Sequence, residues 1–267
     1  MRRYFIAISA GLSLLMYAID STVVAVAFPH FIRDFGTNVL WAGWTISIYL
    51  VAVTSIMPLM GKLSDTFGRK RIFLMSLILF TGSSVACGLA PNIHSLIAFR
   101  FLQGIEGASF LPTAAGIVSD QFPENRERAI GLFTSIFPIG GIVGPNLGGW
   151  IVSRFSWRYI FFINLPIGVV LVALIMSLLK GSKVQSRPHI DVLGASFFFG
   201  AVLFLMLGLN LIAETISILA FLIAGAFLLF SLFFFYLFIR HEQKDSNPIL
   251  DMALLKSKPF LAANLYK

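Results

Sequence analysis

The stretch that decides the fold is Gly61-Lys62-Leu63-Ser64-Asp65-Thr66-Phe67-Gly68-Arg69-Lys70-Arg71. It lies between two long apolar runs, so we interpret it as a connection between membrane helices. Gly61 and Gly68 permit a tight turn, and Asp65 can cap a helix N-terminus. The basic triplet anchors one membrane side, and Arg69 can pair with Asp120 at the end of the fourth predicted helix. An ordinary basic loop needs neither glycines nor an aspartate, so the pattern indicates a loop with a specific structural role.

Apolar runs recur on both sides of this stretch. Each is long enough, at about 20 residues, to cross a hydrocarbon layer of ~30 Å. The pattern predicts eight membrane helices, at residues 5–28, 40–60, 72–90, 96–118, 129–152, 159–179, 192–212 and 216–239. The predicted fold class is therefore all-α and transmembrane.

The composition supports a membrane protein. The chain is 58% hydrophobic and 12% charged, whereas an ordinary soluble domain carries about 25% charged residues. Its net charge of +8 does not indicate nucleic-acid binding, because the basic residues lie between apolar runs and form no separate domain. Cys87 is the single cysteine, and the four histidines follow no metal-ligand spacing, so we predict no metal site.

The positive side chains predict the orientation. All but four of the 20 Lys and Arg residues fall on the membrane side that holds the N-terminus. The exceptions are Arg33, Arg154 and Arg158 in the opposite loops, and Arg100 within a span. Short cytoplasmic loops are rich in Lys and Arg. We therefore expect a multi-pass protein of the plasma membrane with a cytoplasmic N-terminus.

Two charged residues inside predicted spans are the main candidates for chemistry. Asp20 lies on the first predicted helix. Ser9, Ser13 and Tyr17 lie on the same face of that helix, at helical spacing. Arg100 lies on the fourth helix, and its guanidinium does not lose its proton. The two residues lie at compatible depths, so we expect them to face each other across a water-reachable cavity. Contact with Arg100 would keep Asp20 ionised, and separation would let Asp20 take up a proton.

Three further residues of the fourth helix accompany Arg100. Gln103 and Gly107 lie on nearly the same face as Arg100, and with Tyr17 we expect them to line a substrate cavity. Glu106 lies about 120° away at 100° per residue. Glu106 is either a second protonatable site or the partner in a helix–helix hydrogen bond, and the sequence favours neither.

The fifth predicted helix is rich in glycine. It reads Gly140-Gly141-Ile142-Val143-Gly144-Pro145-Asn146-Leu147-Gly148-Gly149. Gly140, Gly144 and Gly148 form a small-residue stripe that lets a neighbouring helix approach closely, and Pro145 bends the chain. The stripe is explained either by packing alone or by a role in helix movement.

The sequence contains no ATP-binding or catalytic signature. Residues 61–64 lack the upstream glycine spacing of a phosphate-binding loop. Neither a nucleophile elbow nor a zinc-protease helix motif occurs. We therefore predict that the chain is not an enzyme and needs no cofactor. Transport by such a chain would depend on an ion gradient.

The ordered set of motifs resembles the major facilitator superfamily over essentially the whole chain. Its signature loop resembles residues 61–71, its helix-4 motif for proton coupling resembles 100–108, and its helix-5 antiporter motif resembles 140–149. Residues 20–29 and 156–168 resemble the branch of fourteen-helix drug–proton antiporters. Glu106 departs from that branch, which often has a small residue there, so the mode of coupling or the substrate charge is in doubt.

The resemblance implies a domain organisation. Residues 1–179 would form the N-terminal six-helix bundle, built from two inverted three-helix repeats. Residues 180–239 would hold a cytoplasmic loop and linker helices 7 and 8. Residues 240–267 would be a cytoplasmic segment and the start of a truncated ninth helix. The C-terminal bundle would be missing.

The resemblance also implies a function. The chain would belong to a proton-coupled transporter that exports amphipathic drugs or metabolites by alternating access, with Asp20, Arg100 and Glu106 coupling the proton. The implied partners are a small-molecule substrate, protons and the lipid bilayer. Two alternatives stay open. One is a proton symporter that imports a nutrient, which the helix-5 motif disfavours. The other is a membrane sensor or assembly partner that transports nothing.

Overall fold

The computed structural model of the chain describes residues 2–179, 191–214 and 217–243. Regular structure within these residues is entirely helical. They fall into two compact units, one within residues 1–186 and the other within residues 187–267. The predicted loop at 180–190 and most of the predicted segment 240–267 lie outside the described residues.

The first unit is a bundle of α-helices joined by short turns. Its helices are α1 Arg2–Val23, α2 Phe28–Phe35, α3 Val39–Phe67, α4 Arg69–Gly88, α5 Ile93–Gly107, α6 Phe110–Gln121, α7 Arg126–Thr134, α8 Ile136–Arg154, α9 Tyr159–Phe162 and α10 Asn164–Leu178. Two 3₁₀ turns, Val24–Ala27 and Pro123–Asn125, complete the regular structure of the described part of this unit. The second unit contributes α11 Val192–Glu214 and α12 Ile218–Glu242.

Seven helical segments of the described residues are long and apolar enough to cross a membrane. They match seven of the eight predicted spans and confirm the predicted fold class. The fourth predicted span, 96–118, is different because the chain breaks into α5 and α6 at Ala108 and Ser109. The Ser109 N–H bonds the Glu106 carbonyl three residues earlier, at 3.2 Å. Gly107 immediately precedes the break, and glycine has a low helix propensity.

Side-chain caps define where two of the helices begin. The Asn38 side chain accepts a hydrogen bond from the Trp41 N–H at 3.0 Å and starts α3. Asn92 and Ser95 form a reciprocal capping box at the start of α5. Such caps satisfy amide groups that the first helical turn otherwise leaves unpaired.

The core of the first unit has two apolar clusters with a polar layer between them. One cluster includes Ile6 and Tyr17 of α1, and the other includes Val23 and Phe31 further along the chain. Asp20 lies between these two sets and is buried. Helix α1 therefore contributes to both apolar clusters and places its single carboxylate at the level that separates them.

The second unit is an antiparallel helical hairpin. The Ser231 hydroxyl donates to the Ala201 carbonyl at 2.8 Å, which joins α12 to α11. At one end, His241 Nε2 lies 2.8 Å from Asp191 Oδ1. The same oxygen accepts the Gly194 N–H at 2.8 Å and so caps the start of α11.

Candidate functional site

The polar layer is built around the Asp20 carboxylate. Arg100 Nη1 lies 2.7 Å from Asp20 Oδ2, and neither side chain has any exposed surface. The second oxygen, Oδ1, accepts from Gln103 Nε2 at 2.9 Å and from Asn164 Nδ2 at 2.7 Å. Helices α1, α5 and α10 thus supply one carboxylate and three donors. Because desolvated charges are costly, these hydrogen bonds are what make the carboxylate tolerable in this position.

The Arg100 guanidinium also interacts with groups other than Asp20. Its Nη1 also donates to Gln103 Oε1 at 2.8 Å, and its Nε donates to the Thr45 carbonyl at 3.1 Å. The guanidinium carbon lies 3.9 Å from the centre of the Tyr49 ring, where the π face attracts a cation. If Asp20 became neutral or moved away, Arg100 would keep all three of these interactions. The arrangement therefore allows the carboxylate to change its charge while the arginine stays held.

Several members of this layer were not predicted from the sequence. Asn164 also donates to the Ser84 hydroxyl at 2.9 Å, and Ser84 donates to the Phe161 carbonyl at 2.9 Å. Thr45 and Tyr49 complete the layer from α3. The available signal was the presence of Asn164 and Ser84 within strongly apolar runs. Their roles depend on the close approach of α10 to both α1 and α4.

The predicted relation between Asp20 and Arg100 needs one correction. We expected the two residues to face each other across a water-reachable cavity. The structure brings them into direct contact with no exposed side-chain surface. The physical reason is that Gln103 and Asn164 occupy the remaining positions around the carboxylate and complete its hydrogen bonding without solvent.

The residues predicted to line a substrate cavity pack tightly in the structure. Tyr17 is 5% exposed and Gln103 is fully buried. A side chain at Gly107 would meet the Tyr17 ring and the Tyr49 hydroxyl, each 3.2 Å from the Cβ position. These residues form a closed contact in this structure, and their substrate role stays a prediction. Glu106 is half-buried, and among the described residues no hydrogen bond to its carboxylate is present, which disfavours a helix–helix bond within this bundle.

The glycine-rich helix packs directly on the helix that carries Asp20. Side chains in place of Gly140, Gly144 or Gly148 would collide with Ala18, Thr22 and Val23 of α1, respectively. Gly141 and Gly149, by contrast, have open space at their Cβ positions. Pro145 lies inside α8, which continues through it. The predicted close approach thus occurs on one face of α8 only, and it positions α1.

The connection at residues 61–71 is organised by Arg69. Arg69 donates to Asp65 Oδ1 through Nε at 2.9 Å and through Nη2 at 2.8 Å. Its Nη1 donates to the Gly116 carbonyl at 2.6 Å and lies 2.7 Å from Asp120 Oδ1. A single guanidinium therefore ties the end of α3 to α6. Arg69 side-chain exposure is 22%, and that of Asp120 is 56%, so this cluster is in contact with the surroundings.

Two expectations about this connection were wrong. Asp65 does not cap a helix, because α3 continues to Phe67 and Asp65 lies in its last turn. Gly61 is also inside α3, where it packs 3.5 Å from Pro112. Gly68 alone makes the turn, with a φ of 95° that glycine adopts without strain.

The basic residues beside Arg69 have different environments. Lys70 donates to the Met176 carbonyl at 3.0 Å and to the Leu179 carbonyl. Arg2 donates to the Leu178 carbonyl through two nitrogens, at 2.9 and 2.6 Å. Cations next to unpaired carbonyls stabilise a helix C-terminus, so both side chains hold the end of α10. Arg71 is exposed.

Comparison with known families agrees with this architecture. A sequence profile of the Major Facilitator Superfamily matches residues 10–191. The chain belongs to the Major Facilitator Superfamily. This superfamily profile covers the polar layer, the connection at residues 61–71 and the glycine-rich helix. The resemblance predicted from the motifs is confirmed, and the chain is a transporter-family protein rather than an enzyme.

Several relatives of the chain are named as multidrug resistance or multidrug transporter proteins. The chain is 37% identical to Multidrug resistance protein 3 of Bacillus subtilis, over 98% of this chain and 51% of the relative. It is 33% identical to the probable multidrug resistance protein EmrY of Escherichia coli, over 96% of this chain and 50% of the relative. The chain therefore spans about half the length of the relatives it matches.

Solved structures of superfamily members share the fold. The human organic anion transporter MFSD10 superposes with a TM-score of 0.57 at 17% identity, over 78% of this chain and 56% of that one. A bacterial homologue of the lysosomal transporter Spinster, in an inward-facing conformation, superposes with a TM-score of 0.59 at 18% identity, over 85% and 58% of the two chains. At these identities the likeness concerns the fold alone.

Proposed function

We propose that this chain is the N-terminal bundle of a proton-coupled transporter that exports amphipathic compounds by alternating access. The observation that carries the proposal is the fully buried Asp20–Arg100 pair at 2.7 Å. An ionisable pair inside a membrane bundle is expensive and usually serves a function. Asp20 is the group that binds and releases the proton, and Arg100 is the cation that pairs with its ionised form.

The hydrogen bonds around the pair support this division of roles. Arg100 keeps Gln103 and the Thr45 carbonyl as acceptors when Asp20 is protonated. Asp20 keeps Gln103 and Asn164 as donors in either charge state. The protonated site therefore leaves few buried groups unpaired, which limits the free-energy cost of the change. Glu106 is proposed as a second proton site.

Two other parts of the bundle are proposed to control its movement. The Gly140–Gly149 segment packs against α1 and would shape the surface along which the helices rock. The cluster of Asp65, Arg69 and Asp120 would stabilise one conformation at its end of the bundle. Tyr17, Gln103 and Gly107 would line the substrate path once the closed contact opens, near the bilayer midplane. A C-terminal bundle would supply the other half of that path.

The relatives support drug export as the direction and substrate class. Several of them are named multidrug resistance or multidrug transporter proteins. We extend that role to this chain as a proposal, because the chain spans only about half of each relative. The Lys and Arg distribution supports a cytoplasmic N-terminus, and we propose the plasma membrane as the location.

A vesicle assay tests the proposal. The full-length protein is placed in inverted and right-side-out membrane vesicles, with ethidium as the amphipathic probe. We expect inverted vesicles with an acidic lumen to accumulate ethidium and to lose part of their pH gradient as they do so. Inverted vesicles with the opposite gradient, acidic outside, serve as the control, because an antiporter then carries ethidium out of the lumen. Accumulation that is unaffected when the pH gradient is collapsed would contradict proton coupling.

A second candidate function is uptake or export of a vitamin. One relative, 29% identical over 99% of this chain and 57% of its own length, is the riboflavin transporter RibZ of Clostridioides difficile. Riboflavin in place of ethidium in the same vesicles discriminates between the candidates. Riboflavin accumulation in right-side-out vesicles with an acidic exterior, without ethidium accumulation in inverted vesicles with an acidic lumen, would favour a nutrient symporter.

A further inference from the structure

Several buried polar atoms of Arg100 and of residues on α3 and the α5–α6 segment have no hydrogen-bond partner among the described residues. They include Arg100 Nη2, the Tyr49 hydroxyl, the Ser109 hydroxyl and the Thr113 hydroxyl. All four residues are 0% exposed. Buried polar groups are almost always hydrogen-bonded, to protein or to ordered water. A group of such atoms on neighbouring helices therefore indicates a place where water molecules bind.

The first two of these atoms belong to Arg100 and Tyr49, which are in contact with each other. The Arg100 guanidinium lies over the Tyr49 ring at 3.9 Å. The Tyr49 hydroxyl lies 3.2 Å from the Cβ position of Gly107. Ser109 follows two residues later, at the break between α5 and α6. Ser109 thus lies in the chain between α5, which carries Arg100, and α6.

From Ser109, one face of α6 leads to the other end of the bundle. Ser109, Thr113, Gly116 and Asp120 follow spacings of four, three and four, which keeps them on one helix face. The Gly116 carbonyl and the Asp120 carboxylate are the two α6 groups that contact Arg69. The distance from Ser109 to Asp120 is ~16 Å at 1.5 Å per residue. This face therefore connects the buried ion pair with the partly exposed cluster around Arg69.

Helix α3 contributes another hydroxyl to the same interval. Cβ atoms built at Gly104 and Gly61 would meet Ala52 and Pro112 at 2.8 and 3.5 Å, so α3 and the α5–α6 segment run side by side. Ser55 lies between these two contact points on α3. It is 3% exposed, and its hydroxyl also has no partner among the described residues. Both of the helical segments that pack here therefore carry buried hydroxyls without a described partner.

We propose that Tyr49, Ser55, Ser109 and Thr113 form a hydroxyl seam that holds a chain of water and carries the proton between Asp20 and the Asp120 end of the bundle. Hydroxyls one helical turn apart are too far apart to exchange protons directly, so bridging water completes the path. Each hydroxyl accepts one proton from one neighbour and passes its own to the next. The net change is transfer of one proton between Asp20 and bulk water, without oxidation or reduction. This inference rests on the proposed protonation of Asp20.

Time-resolved infrared spectroscopy after a pH jump tests the seam without a transport substrate. The full-length protein in lipid bilayers is followed through the carboxylic-acid band that the Asp20→Asn variant lacks. We expect Ser109→Ala and Thr113→Val to slow the appearance of this band by about tenfold or more, since positioned proton relays contribute at least that much to rates. The final amplitude of the band should stay unchanged, because the Asp20 environment is intact.

Three further variants make the result specific. Thr113→Ser keeps the hydroxyl and should restore the wild-type rate. Thr54→Val is the matched control, because Thr54 is exposed on α3 and donates to the Leu50 carbonyl of its own helix at 2.7 Å. Tyr49→Phe keeps the ring beneath Arg100, removes only the hydroxyl, and should also slow the band, which provides a test if Thr113→Val fails to fold.

The outcomes separate the two proposals. An Asp20 band that rises at the same rate, within about twofold, in Ser109→Ala and Tyr49→Phe would overturn the seam and leave proton coupling in place. Failure of any Asp20-dependent band to appear across the accessible pH range would overturn the proposed protonation and the seam together. A slowed band with rescue by Thr113→Ser supports the seam.

Discussion

Two arginine–aspartate pairs in this bundle have the same bond length and opposite surroundings. In the polar layer, Arg100 and Asp20 approach to 2.7 Å with 0% exposure of both side chains. At the end of the bundle, Arg69 and Asp120 also approach to 2.7 Å, with exposures of 22% and 56%. Distance alone therefore says little about what a salt bridge does. Burial decides whether breaking the pair leaves an unpaired charge in the apolar interior or exposes the charge to a polar environment.

The partners of the two pairs differ in the same direction. The buried Asp20 is surrounded by the neutral amides of Gln103 and Asn164, which fix its position. The partly exposed Arg69 is shared between the carboxylates of Asp65 and Asp120, so it can release one carboxylate and keep the other. The buried pair is therefore suited to a change of protonation at a fixed place. The cluster of Asp65, Arg69 and Asp120 is suited to opening and closing at a low cost in free energy.

Removal of one buried charge should have the largest effect on stability. Arg100→Ala leaves the Asp20 carboxylate buried without its cation, which typically costs about 3–5 kcal/mol. We expect a loss of that size in the free energy of unfolding, measured by denaturant titration in detergent micelles. Asp20→Asn combined with Arg100→Gln should recover much of the loss, because neither charge remains. A loss for Arg100→Ala no larger than that for Asp120→Ala would remove the distinction between the two pairs.

Removal of a neutral donor should have an intermediate effect. Asn164→Leu keeps most of the side-chain volume and deletes the 2.7 Å hydrogen bond to Asp20. Hydrogen bonds to charged groups contribute about 1.5–3 kcal/mol, and we expect a loss in that range by the same titration. Asn146→Leu is the matched control, because Asn146 is exposed and its side-chain nitrogen donates to the Ile142 carbonyl of its own helix at 2.8 Å. Equal losses in the two variants would mean that Asn164 has no special connection with the carboxylate.

Loosening of the exposed cluster should have the smallest effect on stability. Asp120→Asn removes one of the two carboxylates that share Arg69, and partly exposed pairs contribute about 0.2–1 kcal/mol. We expect a loss in that range, which shrinks further at high salt because exposed charges are screened. The measurement is the unfolding midpoint at low and high ionic strength. A salt-independent loss as large as that of Asn164→Leu would show that this cluster behaves like a buried one.

The sequence predicts the spans and the isolated charges well, for a physical reason. Long apolar runs are sufficient to indicate membrane helices, and a charge inside such a run is conspicuous. Asn164 and Ser84 were missed because small polar residues are common in spans and their partners depend on how distant helices approach. The helical state of Gly61 and the break after Gly107 were also missed. Glycine is compatible with a helix or a turn, and tertiary packing, such as Gly61 against Pro112, decides between them.

The most direct test of the account is proton movement in the Asp20→Asn variant. Inverted vesicles containing the full-length protein are loaded with a pH-sensitive dye, and ethidium addition starts transport. Asp34→Asn is the control, because Asp34 is exposed at the end of α2 and accepts a hydrogen bond from the Trp157 indole. We expect Asp20→Asn to insert and fold but to move no protons with ethidium, whereas Asp34→Asn should behave as the wild type. Undiminished proton-coupled transport in Asp20→Asn would contradict the account.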